Sequence, residues 1–267
     1  MSKAYVETTI LTNVLLKPGS KKQGAAISAL ERYETTLLPV YAIKEWKAGP
    51  LDHYSYLHDK LATTRSLADT ISAINSLSPY NPYKKSTSFE ALEAAAHLEG
   101  AQPETGRDHR ARDEEMADRY RLALASLILR SWRKRRKVTT STIQDLECYT
   151  EAEPKIGSDG LFDLKPQKCE RDRECSLARD LKSRPDLLRA LRNAVPSSSS
   201  REEDRRRREA LRQLIHSPKI PLDRDVCRAL GDAIFAFCCP EDAVVLTTNI
   251  KDHRPLAEAI GKRAETP

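Results

Sequence analysis

The absences narrow this sequence first. No stretch is long and apolar enough to cross a bilayer, which takes about 20 consecutive apolar residues. Met1-Ser2-Lys3 runs directly into a short strand pattern, with no apolar run of the secretory type. There is no phosphate-cradling GxxxxGK[ST] loop, no dinucleotide GxGxxG and no GxSxG nucleophile turn. The six histidines are dispersed, and no Ser–His–Asp or Cys–His constellation emerges. Cysteine is sparse, with six residues at Cys148, Cys169, Cys175, Cys227, Cys238 and Cys239. Cys169 and Cys175 lack zinc-site spacing and have no nearby histidine. The last three fall on or beside an apolar helix, where a thiol behaves as a small hydrophobe. A reduced, cytoplasmic protein without a membrane partner is therefore expected. No internal repeat is evident.

What is present is a chain of 267 residues, 39% apolar and 31% charged, with a formal net charge of +6. That length can bury a substantial core in one large or two small domains. The high charge content suggests long, solvent-facing helices around it. A modest positive excess is compatible with a polyanionic partner without identifying one.

Apolar periodicity divides the chain. Ala4-Tyr5-Val6 reads as a strand, and Ile10, Val14 and Leu15 continue at helical spacing. A second helix spans residues 25–33. Thr36-Leu37-Leu38-Pro39-Val40 is a second strand, followed by a helix from Tyr41 to Trp46. Residues 51–214 then read as mostly helical, with long patterns over 51–77, 112–137, 177–195 and 201–215. Pro196 and the four serines after it form a linker. Near the far end, Gly231-Asp232 opens an apolar helix, and Ala243-Val244-Val245-Leu246 is a buried strand. Leu256 to Ile260 closes the pattern before a polar tail.

Acidic and small polar residues recur where strands end. Glu7 follows the first strand, Glu45 lies one turn beyond the second, and Thr247, Asn249 and Asp252 follow the last. Asp232 opens the preceding helix. In a parallel α/β sheet these strand ends are where ligands bind. Converging carboxylates need relief from mutual repulsion, and a divalent cation is one source of it. Each residue also has a plain structural role available. Glu7 suits a helix N-terminus, Asp232, Asn249 and Asp252 suit N-caps, and Glu45 suits a surface. Two basic runs stand apart. In Arg130-Ser131-Trp132-Arg133-Lys134-Arg135-Arg136-Lys137 six of eight residues are basic, and Arg205-Arg206-Arg207-Arg208 forms the second. Either could contact phosphates, complement a helix dipole or be a solvated face.

Taken together, Tyr5-Val6-Glu7-Thr8, the strand and helix leading to Glu45, Gly231-Asp232-Ala233-Ile234-Phe235-Ala236 and Thr247-Thr248-Asn249-Ile250-Lys251-Asp252 resemble the PIN domain. That is the metal-dependent nuclease fold of many toxin–antitoxin ribonucleases. The resemblance covers roughly residues 1–50 and 215–263 and implies a PIN-like three-layer α/β fold around a parallel sheet. Residues 1–50 and 215–267 would form its discontinuous core, interrupted by a mostly helical insertion over 51–214. It implies catalytic Glu7, Glu45, Asp232 and Asp252, with Glu7, Asp232 and Asp252 binding Mg²⁺ or Mn²⁺. Thr8, Thr247 and Asn249 would support them, and the two basic runs would carry the nucleic acid. The implied activity is endoribonuclease, RNA rather than DNA being the substrate. A non-catalytic module that binds nucleic acid or protein on this fold, and a structure-specific DNA nuclease, are the alternatives. An inhibitory protein partner and a homodimer are further implications. Glu7 departs from the commoner aspartate, and His253 stands where many relatives carry phenylalanine.

Overall fold

The computed structural model describes residues 2–77, 82–99, 109–149, 151–164, 175–216 and 224–267. The expected break at 79–81, the connection at 100–106, Cys169 and the 218–221 segment lie outside them. The first elements are β1 (Lys3–Val6), α1 (Thr8–Leu16), α2 (Lys21–Glu31), β2 (Thr35–Pro39) and α3 (Val40–Trp46). A π-helical turn, Lys47–Leu51, joins α3 to α4 (Asp52–Thr64). Then come α5 (Leu67–Asn75), α6 (Pro82–Glu99), α7 (His109–Lys134), β3 (Ser141–Ile143), and the antiparallel pair β4 (Lys155–Ile156) and β5 (Phe162–Asp163). The chain continues through α8 (Ser176–Lys182), α9 (Pro185–Ala194), α10 (Glu202–His216), α11 (Arg224–Ala229), α12 (Gly231–Cys238), β6 (Ala243–Leu246), α13 (Ile250–Ala259) and β7 (Arg263–Glu265).

Five strands form one parallel sheet in the order β3-β2-β1-β6-β7. Side chains alternate across it with the period of two that a strand imposes. Ala4 and Val6 of β1, with Val244 and Leu246 of β6, face Ala26, Ala29 and Leu30 of α2. Tyr5 and Val245 face the opposite way, into the large cluster holding Tyr41, Trp46, Phe235 and the cores of α4 and α7. The protein is thus layered helix, sheet, helix. From β1 the chain winds outward to β2 and β3 on one side, while β6 and β7 lie on the other. The C-terminal ends of β1 and β6 therefore flank the topological switch point, where an open parallel sheet leaves a crevice.

Several expectations change in detail. The pattern over 51–77 is two helices, separated at Arg65, whose left-handed φ of 53° ends α4. Residues 51–214 are not only helices laid beside a core, because they contribute the edge strand β3, paired with β2. The polar tail is likewise a strand, β7, which closes the other edge. The 196–200 linker is anchored: Ser199 Oγ donates to Asp204 at 2.6 Å. Among the described residues no helix is long and apolar enough to cross a membrane, and five cysteines there are free thiols.

Candidate functional site

Glu7 is the first residue beyond β1, and its side chain caps α1. Its Oε2 accepts from the Thr9 N–H at 3.0 Å, from the Thr9 hydroxyl, and from Thr247 Oγ1 at 3.1 Å. Those contacts join the ends of β1 and β6 across the switch point. Thr247 is fully buried, and its hydroxyl also accepts from the Asn249 N–H at 2.9 Å. Glu7 is buried, and that burial pushes its carboxyl above the usual range, against the opposing pull of His253 and the Thr9 hydrogen bonds.

Glu45 reaches the same place from α3. Thr8 Oγ1 donates to its Oε2 at 2.5 Å. A Cβ on Gly231 would lie 3.1 Å from Glu45 Oε1, so the missing side chain at the start of α12 is what lets Glu45 approach Asp232. Burial first, and the charge of Glu7 next, raise the Glu45 carboxyl to about 7.

Asp232 and Asp252 behave oppositely. Asp232 sits in the first turn of α12 and is not its cap, the N-cap being Leu230. Burial would raise its carboxyl, but the hydrogen bond and charge of His253, with the charges of Arg207 and Arg201, hold it below the ordinary value. His253 Nε2 stands 3.2 Å from Asp232 Oδ1, and Arg207 Nη2 donates to Asp232 Oδ2. Asp252 lies in the first turn of α13, behind Asn249, whose side chain does not cap that helix. Instead Asn249 Nδ2 donates to Asp252 Oδ2 at 2.7 Å. Arg201 grips Asp252 with both nitrogens, Nη1 at 2.6 Å and Nη2 at 3.0 Å, and depresses its carboxyl.

The structure thus gathers Glu7, Glu45 and Asp232 within electrostatic reach, with Asp252 coupled to Asp232. Thr8, Thr247 and Asn249 each hydrogen-bond one of these acids. Of the second basic run, only Arg207 enters the site. Arg205 and Arg206 pair with Glu202 on the outer face of α10, and Arg208 donates to the Val195 carbonyl. The first run is not brought there at all. It ends α7 and leads into β3, whose neighbour Thr140 pairs with Thr36 at the start of β2, so it lies toward the N-terminal edge of the sheet. Arg133, Arg135 and Arg136 are matched there by Glu153 and Glu151, while Arg130, Lys134 and Lys137 are exposed.

Arg201, Thr9 and His253 were not singled out by sequence reasoning as members of the site. Thr9 stands next to Thr8, and His253 directly follows Asp252, so adjacency was the available signal. Arg201 lies 51 residues from Asp252 and offered none.

Oxygen donors of this kind suit a hard divalent cation. Glu7 and Glu45 are two carboxylates in mutual repulsion, and no Lys or Arg among the described residues forms an ion pair with either. The arrangement itself is incomplete. Among the described residues no three Asp, Glu, His or Cys side chains stand close enough to hold one ion. Asp232 and Asp252 are engaged by arginines instead.

No protein-family model, no curated protein and no solved structure matches this chain.

Proposed function

We propose that this chain is a divalent-metal-dependent phosphodiesterase with a PIN-like core that cleaves RNA. The observation that carries the reading is convergence: carboxylates from four separate segments meet at the switch point of a parallel sheet, and two of them have no basic partner. Unpaired buried carboxylates are costly unless something positive joins them. The layered architecture and the order of the acidic positions along the chain agree with the PIN resemblance. A bound Mg²⁺ or Mn²⁺ would supply an activated water and positive charge for the scissile phosphate. Glu7, Asp232 and Asp252 would hold it. The chain's other groups position these acids: Thr9 and Thr247 fix Glu7, Thr8 fixes Glu45, and Asn249 fixes Asp252. Glu45, titrating near 7, is suited to hold or release a proton at its Oε atoms at physiological pH. The preference for RNA over DNA rests on the resemblance alone.

One observation favours a second reading, a non-catalytic binding module on the same fold: Asp232 and Asp252 are already neutralised by Arg207 and Arg201. The deciding experiment is incubation of a mixed RNA pool with the protein and Mn²⁺, beside an EDTA control and Asp232→Asn. Cleavage that needs metal and drops by more than about a hundredfold in the variant is the expected result, since even partners behind a metal ligand are worth 10–100-fold. RNA retained without cutting, in both proteins, would support the binding module.

A further inference from the structure

The two arginines on the acid cluster come from one short segment. Arg201 immediately precedes α10, and Arg207 lies between one and two turns into it. Arg201 Nη1 and Nη2 both reach Asp252, and Nη2 is shared with Glu203 at 3.0 Å. Arg207 bridges Asp232 and Asp204, the latter at 3.4 Å. The remaining arginines of the run point elsewhere, so their general basicity does not explain these two contacts. The segment is itself anchored at its start, where Ser199 Oγ binds Asp204 and accepts from the Arg201 N–H at 3.2 Å.

Two guanidiniums bring a charge of +2, the same as one divalent cation, to the two carboxylates that the proposed function assigns to metal binding. They cannot share those oxygens with an ion at hydrogen-bond distance, because like charges at such separation repel strongly. The grip is also imperfect. Arg207 Nε and His253 Nδ1 are buried without a hydrogen-bond partner, and a buried donor left unmade costs about 1–3 kcal/mol. Arg201 is half exposed, with 48% of its side-chain surface open, so its contact can break without unpacking the core.

We propose that residues 199–207 form a built-in plug, in which Arg201 and Arg207 occupy the place of a divalent cation on Asp252 and Asp232 and must withdraw before the cation binds. The proposal rests on the metal-binding reading above, and it makes the segment before α10 the point where activity is controlled. It accounts for acidic residues of the right chemistry that do not group into a three-ligand site.

Mn²⁺ binding to the full chain, followed by isothermal titration calorimetry, tests it without reference to activity. Arg201→Ala is expected to bind Mn²⁺ at least about fivefold tighter than the unmodified protein, the lower end of couplings between linked sites. Arg201→Ala with Arg207→Gln is expected to bind tighter still. Adding Asp232→Asn to Arg201→Ala is expected to weaken binding again. Because Arg207 is buried and its loss can unfold the protein, the exposed Arg201 variant decides the matter alone if the double variant does not fold. Equal Mn²⁺ affinity in the unmodified protein and Arg201→Ala overturns the plug while leaving the metal reading standing. No Mn²⁺ binding in any of them overturns both.

Discussion

Glu45→Gln is expected to stabilise the protein at pH 8 by up to about 3 kcal/mol and to change little at pH 4.5. The carboxyl of Glu45 is raised from 4.5 to about 7 by burial and by the charge of Glu7, and each tenfold change in proton affinity corresponds to about 1.4 kcal/mol. The sign follows from proton counting. Between pH 4.5 and 7 the folded protein retains a proton that the unfolded chain has released, so stability falls as pH rises through that window. Above it the full penalty is present. Glutamine keeps an oxygen to accept the Thr8 hydroxyl and removes the charge. The residue is only partly buried, and solvent screening brings the figure down from its ceiling. Raised Glu7 and His253 values push stability the same way with pH. The depressed Asp232 and Asp252 act below about pH 4, where their contribution is lost on acidification. The difference between variant and parent therefore isolates Glu45. Urea unfolding at several pH values measures it, and parallel curves for the two proteins would contradict the assignment.

Arg207→Ala is expected to destabilise by about 3 kcal/mol, the loss typical of removing one partner from a buried ion pair. Only 9% of the Arg207 side chain is exposed, and its removal strands Asp204 and Asp232 together. Asp204 keeps the Ser199 hydroxyl and Asp232 keeps His253, which limits the damage. Adding Asp232→Asn to that variant is expected to recover part of the loss, because the stranded charge goes with it. Denaturant titration of the parent, both single variants and the double variant gives the coupling directly. A loss below about 1 kcal/mol for Arg207→Ala would place this contact in the class of exposed, weak ion pairs.

The central strands were legible because their signals were strong and local. Tyr5-Val6-Glu7-Thr8 carries strand, cap and helix start within four residues, and Val244-Val245-Leu246 is apolar on both faces, as a central parallel strand must be. The edge strands were not. Ser141-Thr142-Ile143 and Arg263-Ala264-Glu265 are short and largely polar, since an edge strand is half solvated and lacks the apolar run that marks a buried one. Asp232 was legible only in part. At the start of a helix it reads locally as a cap, and only the fold reveals that its oxygens go to His253 and Arg207. The acidic members of the site could be found because strand ends in a parallel sheet share one edge. The arginines could not, because α10 meets that edge through tertiary packing, and the identical letters Arg205 to Arg208 do not disclose which one turns inward.

The most direct test of the metal reading is anomalous diffraction from crystals of the full chain grown with Mn²⁺. A manganese peak is expected against the carboxylates of Asp232 and Glu7, with Arg207 no longer bonded to Asp232. Crystals at millimolar Mn²⁺ with no peak among these acids, and with both arginines still in place, would contradict it.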